Sequence, residues 1–260
     1  MAGVIDPRRY LPTPSGRRFL VTAGNTRERI DDVRDWGNIF TGTTGFEIAK
    51  ALTAAGDVDL LTSNRSHRHE AALGTLFREG QIRATGFTSH DELKGALAAL
   101  MGQATYDAVF MTAAVADYRP ERVYEVVERR PDLSAPGAET WRVRDAQAGK
   151  VKSTFAEMAV LGRRTEKLVD LFRTEWNHRG VLVKFKLEVG VGREELLRIG
   201  QASRRASGAD FLVANTLDLV RGEGAGAILI SDAGHEWVPR GELPGRMVRL
   251  AVATPPAAKP

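Results

Sequence analysis

Short apolar runs alternate along this chain with stretches whose apolar side chains recur every three or four positions, the signatures of strand and helix. FLVTA, with Val21 and Thr22, predicts a first strand that starts at Arg18 and breaks at Gly24. A charged loop follows, and GFEIAKALTAAG then places Phe46, Ile48, Ala49, Ala51 and Leu52 at helical spacing before Gly56. VDLLTS predicts a second strand. A polar stretch and a short helix near Glu70 to Phe77 lead to a third strand in QIRATGFTS. DELKGALAALMG predicts a helix with Asp91 near its start and Gly102 after its end, and YDAVFMTA a fourth strand. This alternation implies an α/β class: a Rossmann-like, doubly wound, mostly parallel sheet with right-handed crossovers and helices on both faces.

The pattern changes between Ala113 and Leu161. VYEVVERR and ETWRVRDA flank the linker PDLSAPGA and predict an antiparallel pair outside the main sheet, QAGKVKST predicts a mobile loop, and TFAEMAVL a further strand. Such an excursion serves as a flap or dimer contact. Alternation resumes with the helix TEKLVDLFRTEW, the strand VLVKFKLE, the helix REELLRIGQASRRAS and the strand DFLVANT. GAILISD and EWVPR predict a hairpin and GELPGRMVRLAVA a last helix. Residues 1–17, with three prolines and no periodicity, predict an N-terminal arm; 18–254 form one domain containing the 113–161 excursion, and 255–260 a frayed tail.

At 260 residues the chain can bury one large core. The net charge of +4 and pI near 9.5 are mild, which favours an Arg-rich soluble surface over nucleic-acid binding and suits an anionic small-molecule substrate. The lack of cysteine excludes disulfides, thiolate zinc sites and a cysteine nucleophile. The N-terminus lacks the apolar core of a signal peptide, and no stretch approaches the ~18 apolar residues of a membrane span. A cytoplasmic enzyme or binding protein is expected, with neither nucleic acid nor membrane as partner. Only His67 and His69 lie close together among five histidines, so no structural metal is expected.

Ligands of a doubly wound sheet sit outside the carboxyl ends of its strands, and four clusters fall there. The first joins Arg34, Asn38 and the helix start Thr41, Gly42 and Thr43: either a fixed cation, an amide and free N–H groups hold a phosphate or carboxylate, or Asn38 caps a turn and Arg34 is a surface residue. Gly42 lies eighteen residues beyond Gly24, whereas dinucleotide-binding glycines follow the strand directly. The second follows Thr112: Ala113 and Ala114 allow close backbone approach to a ligand, while Asp117 either accepts a hydrogen bond from a ribose or base, serves near a metal, or caps a turn. Third, Lys150 and Lys152 either neutralise phosphates from a flexible loop or are solvated surface lysines. In the fourth, KFKLE, Phe185 either stacks on a base while Lys184 or Lys186 reaches phosphate, or is plain core.

Together these motifs resemble phosphopantothenate-cysteine ligase, also called phosphopantothenoylcysteine synthetase, over roughly Arg18 to Val252. VTAGNTRERIDDVRDWGNIFTGTTG matches the family's TAGxTREPLDPVRxxxNxSSGxxG without a gap, and AAVADY, KVKS and FLVAN, which ends at Asn215, match in the same order. The resemblance implies ligation of 4'-phosphopantothenate and cysteine in coenzyme A biosynthesis through an acyl nucleotidylate, with CTP or ATP as co-substrate, Mg²⁺ carried by the nucleotide, and a homodimer. It implies catalytic roles for Asn38 and Lys150. Arg34, Thr41, Gly42, Thr43, Ala113 and Ala114 would bind substrate, and Gly24, Thr112, Asp117, Lys152, Phe185 and Lys186 the nucleotide. A monofunctional ligase is expected, since too few residues precede the first strand for the flavin-dependent decarboxylase often fused to bacterial members.

Departures from the family pattern are local. Phe40 and Thr41 replace a serine pair, Asn25 a proline, Glu166 and Lys167 a Pro-Asp pair, and Ser203 and Ser207 two lysines that Arg204 and Arg205 would stand in for. KFKLE is closer to ATP-using members than to CTP-using ones. Two other readings compete. A non-catalytic nucleotide or acyl-intermediate binding homologue fits the altered serines and missing lysines. A short-chain dehydrogenase fits TGTTGFEIAKAL but lacks glycines close to the strand and a tyrosine with a lysine four residues on.

Overall fold

The computed structural model describes residues 16–73, 82–220 and 224–253. The predicted tail and nearly all of the arm lie outside these residues, as does the end of the helix expected to reach Phe77. Arg17, assigned to the arm by sequence, is tied to the body: its guanidinium donates to the carbonyls of Ala251 (3.0 Å) and Val252 (3.2 Å) at the end of the last helix.

Eight strands form the main sheet: β1 (Arg18–Ala23), β4 (Asp57–Thr62), β5 (Ile82–Gly86), β6 (Ala108–Met111), β10 (Val181–Glu188), β11 (Phe211–Thr216), β12 (Gly226–Ser231) and β13 (Gly234–Pro239). Their spatial order is β13-β12-β11-β10-β6-β1-β4-β5, with all neighbours parallel except the β11–β12 and β12–β13 pairs. The chain leaves β1 for β4 and β5, then returns to β6 on the opposite side of β1. That reversal opens a crevice above the ends of β1 and β6.

Alternating side chains feed three clusters. Phe19, Val21, Val58, Leu60, Phe110 and Val183 pack with α1 (Thr43–Leu52) and α6 (Leu243–Ala253). Leu20, Leu61, Val109 and Leu182 face α3 (His90–Gln103) and α4 (Leu168–Thr174), while Leu212 and Ile230 face Leu196 of α5 (Arg193–Ala206). Strand residues buried on both faces explain the nearly unbroken apolar runs in the sequence. The helix α2 (Arg65–Leu73) starts earlier than periodicity predicts, because Asn64 caps it: its Oδ1 accepts the Ser66 N–H at 2.9 Å.

The excursion is a separate three-stranded antiparallel sheet, ordered β8-β7-β9, of β7 (Tyr118–Pro131), β8 (Glu139–Asp145) and β9 (Met158–Arg164). The last strand begins four residues later than TFAEMAVL suggests and runs on to Arg164, because β7 continues to pair with it from Glu125↔Met158 to Tyr118↔Arg164. Two strands were not anticipated. β2 (Arg27–Arg29) and β3 (Asp35–Gly37) pair within the charged loop, each too short and polar to register as a periodic run.

Beyond α4, His178 is buried, with Nε2 3.2 Å from the Val181 carbonyl. Burial, assisted by the nearby Arg173 charge, pushes its pKa down to about 4. The unfolded chain takes up this proton near pH 6.5 and the folded chain does not. Stability present at neutral pH is therefore lost as pH falls through that window, by about 3 kcal/mol in all. Urea unfolding at pH 7 and pH 4.5 is expected to show a shallower pH dependence for His178→Gln than for the wild type; equal slopes would assign the acid sensitivity elsewhere.

Candidate functional site

The site begins where β1 ends. Gly24 and Gly42 both adopt left-handed backbone, with φ of +90° and +83°. A Cβ on Gly42 would lie 2.1 Å from the Gly24 nitrogen, and one on Gly45 would lie 2.1 Å from Thr112 Oγ1 and 2.9 Å from the Thr22 carbonyl. The stretch of chain that separates Gly24 from Gly42 in sequence therefore closes in space. Residues 25–41 are an insertion looped out of a compact glycine junction. Gly42 precedes α1, whose first turn carries no acidic residue to compete with an anionic ligand for the helix N-terminus.

The segment after β6 is laced to this junction. Ala114 donates its N–H to the Gly24 carbonyl (2.9 Å) and accepts from the Thr26 N–H (3.1 Å), Ala113 donates to Thr22 Oγ1 (3.1 Å), and Ala116 donates to Thr26 Oγ1 (2.8 Å). The Thr112 hydroxyl donates to the Thr22 carbonyl. Asn38 reaches the same point, its Nδ2 donating to the Ala114 carbonyl at 3.2 Å. Asn38, Ala113 and Ala114 are thus adjacent. The N–H groups of both alanines are engaged within the fold, so the pair contributes close approach of a small wall and not free donors.

Arg34 and Lys150 are connected through a turn that sequence reasoning missed. The buried Asp31 carboxylate accepts from the N–H groups of Val33 (2.9 Å), Arg34 (2.8 Å) and Val151 (3.1 Å). Burial alone would raise its pKa, but these three donors and the Arg34 guanidinium outweigh that and hold it below the ordinary carboxylate range. Arg34 Nη2 donates to the Val151 carbonyl at 2.6 Å, and the Asp32 N–H to the Gly149 carbonyl at 2.8 Å. The loop expected to be mobile is therefore pinned, with Val151 buried and Lys150 and Lys152 exposed on either side. Asp followed by N–H groups two and three residues on is a turn signature, legible in DDVR in principle.

The residues expected near the nucleotide occupy the neighbouring strand ends. Asp117 is exposed and paired with Lys167, so the Lys that replaces a family aspartate acquires a counter-charge here. Phe185 is half-buried against the core under α1 and α6, and Lys186 pairs with Glu188 at 2.7 Å. The register Lys184↔Met111 carries both residues past the end of β6 towards the crevice. Thr41 and Thr43 share a hydroxyl contact at 3.1 Å. Arg204 does not stand in for a missing lysine. It is buried, donating to Gln201 one turn back in α5 and to the carbonyls of Ala209 and Asp210 and to Asp232, the last three tying α5 to the start of β11 and the end of β12. Lys184 instead extends from β10 to within 3.3 Å of the Ser203 carbonyl, where burial lowers its pKa.

Among the described residues no three His, Cys, Asp or Glu side chains converge as a metal site, and no helix is long and apolar enough to cross a membrane. His67 is buried and stacked on Phe46 at 4.3 Å, away from His69.

A family profile described as the DNA/pantothenate metabolism flavoprotein C-terminal domain matches residues 14–131. The coenzyme A biosynthesis bifunctional protein CoaBC of Thermococcus kodakarensis is 31% identical over 227 residues, covering 86% of this chain and 47% of that protein. The chain thus spans about half the length of the curated relatives it matches. Among solved structures, the DNA/pantothenate metabolism flavoprotein from Streptococcus pneumoniae aligns with a TM-score of 0.70 at 25% identity, covering 90% of this chain and 97% of that one. A Cab2 variant in complex with phosphopantothenate-cysteine shares the fold, with a TM-score of 0.65 at 16% identity over 91% of this chain and 85% of its own. The doubly wound sheet and these matches agree: residues 14–131 fit the DNA/pantothenate metabolism flavoprotein C-terminal domain family, and the chain as a whole is similar to about half the length of the CoaBC proteins.

Proposed function

We propose that this chain ligates 4'-phosphopantothenate to cysteine by way of an acyl nucleotidylate. The observation that carries the reading is the placement of Asn38 against Ala114 at the topological switch point, flanked by the α1 N-terminus and by the loop bearing Lys150. A carboxylate is a poor electrophile, so its oxygen first attacks the α-phosphorus of CTP or ATP and pyrophosphate leaves. The cysteine amine then attacks the acyl carbon, the nucleoside monophosphate departs, and the amine loses a proton.

In this reading Asn38 orients the acyl group beside the small wall of Ala113 and Ala114. Arg34 and the helix start at Thr41, Gly42 and Thr43 hold the substrate's anionic end. Lys150, with Lys152, offsets charge on the transferring phosphate. Gly24, Thr112, Asp117, Phe185 and Lys186 line the nucleotide's place, and Mg²⁺ enters with the triphosphate, whose oxygens supply its ligands. The protein acts as a homodimer in the cytoplasm. The exposed apolar side chains of the excursion, including Trp141, Val143, Met158 and Leu161, support a partner there.

Pyrophosphate release in the presence of 4'-phosphopantothenate, cysteine and either CTP or ATP tests the proposal. Release that requires the acid and one of the nucleotides is expected. A folded protein that binds nucleotide yet releases nothing with either would instead favour the non-catalytic binding homologue, a reading to which Phe40, in place of a small hydroxyl, lends its support.

A further inference from the structure

The loop Asn38–Thr41 carries the acyl-positioning amide at one end and the anion-binding helix start at the other, and both ends are held from outside. Asn25, just past β1, donates its side-chain amide to the Asn38 carbonyl, and is itself fixed by Ser63, whose Oγ accepts the Asn25 N–H at 2.9 Å. Asn64, just past β4, donates Nδ2 to the Thr41 carbonyl at 3.1 Å.

The orientation of Asn64 is fixed by three contacts. Its Oδ1 is committed to the Ser66 N–H at the start of α2 (2.9 Å), which turns the NH₂ group towards the loop. One amide hydrogen serves Thr41 and the other faces Nε2 of the buried His67 at 3.3 Å, so that ring nitrogen is the acceptor. His67 Nδ1 lies 3.2 Å from Thr62 Oγ1, and its ring is stacked nearly parallel, 9° off, on Phe46 of α1. The helix that follows Gly42 and the residue that tethers the Thr41 carbonyl are thus locked to one imidazole.

The Thr41 carbonyl and the Gly42 N–H belong to one planar trans peptide and point in opposite directions. Holding the carbonyl towards α2 therefore fixes the direction of the first N–H of the α1 N-terminus. From this geometry we infer that Asn64 is a positioning residue for the acid substrate: its tether to Thr41 sets the peptide plane on which the substrate's anionic group is received. The inference rests on the ligase reading for the identity of that substrate.

Two variants separate the tether from the helix cap. Asn64→Ser and Asn64→Asp both retain a good cap for α2, yet neither can present an amide donor to Thr41, and they differ in charge. Both are expected to keep the wild-type Tm within about 2 °C, to speed backbone hydrogen exchange across residues 38–45, and to raise KM for 4'-phosphopantothenate about tenfold with kcat changed less than about twofold, as loss of one hydrogen bond would. Unchanged exchange and KM would overturn the inference, as would a KM effect confined to the Asp variant or a fall in Tm that accompanies equal losses in every parameter. Should the wild type release no pyrophosphate, the ligase reading fails, while the exchange measurement still upholds or rejects the tether.

Discussion

Lys150→Ala is expected to fold as the wild type does and to lose acid-dependent pyrophosphate release by at least about a hundredfold. The two halves of this expectation have separate structural grounds. The side chain of Lys150 is exposed, and the loop around it is held by backbone groups and by the buried Val151, through Asp31, Asp32 and Arg34. Truncation at Lys150 removes none of these bonds, so the loop keeps its place. In the proposed reaction what is removed is the cation that would offset charge on the transferring phosphate, where a charge positioned by the protein is far more effective than the same charge free in water. Lys152→Ala, on the other side of Val151, serves as the comparison and should cost less. Turnover by Lys150→Ala at the wild-type rate would assign Lys150 to the solvated surface and leave Arg34 as the cation to examine.

Gly42→Ala should destabilise the whole domain by about 3–4 kcal/mol, combining a left-handed backbone that alanine resists with overpacking. The added Cβ would meet the Gly24 nitrogen at 2.1 Å, the Gly24 Cα at 2.7 Å and the Ala23 carbonyl carbon at 2.9 Å. All three are backbone atoms at the end of a central strand, so no flexible side chain can swing aside. Relief requires α1 to separate from β1, which exposes the packing of Phe46 and Ile48 beneath it. Gly95→Ala is the contrasting control. It lies in α3 with nothing within 4 Å of the added Cβ, and is expected to stabilise by roughly 0.5–1 kcal/mol through helix propensity. Urea denaturation of both variants measures the difference, and a Gly42→Ala midpoint equal to wild type would show that the junction is more compliant than its geometry indicates.

The parallel core of the fold was legible from residue order because its strands are buried on both faces and its helices are amphipathic. FLVTA, VDLLTS, YDAVFMTA, VLVKFKLE and DFLVANT all become strands, and the helices opening near Gly42, Asp91 and Arg193 all form. Asn38, in the loop after β1, and Ala113 and Ala114, after β6, are candidates in the sequence because a doubly wound sheet places its ligands beyond such strands, and Asn38 does reach Ala114. The β2–β3 pair was not legible, since Arg-Glu-Arg and Asp-Trp-Gly are strands of three residues, too short to carry a period. Nor was the anchoring role of Arg204, which sequence position suggests is a free cation standing in for a lysine and burial shows to be tied up within the fold.

Residue pattern alone therefore determines the layered architecture and the strand ends at which the chemistry-bearing residues stand, because hydrophobic periodicity is a local property that any folded solution must satisfy. The tertiary structure decides what those residues are able to do. Gly24 and Gly42 become one junction despite their separation, Asp31 pins a loop 120 residues away, and Asn64 reaches Thr41 from the end of a different strand. Each of these depends on the direction of a single hydrogen bond or the absence of a single Cβ between distant segments. Such terms, about a kilocalorie for a hydrogen bond and a few for a forbidden Cβ, leave no period in the sequence, yet they set the geometry in which an acyl group and a phosphate would meet.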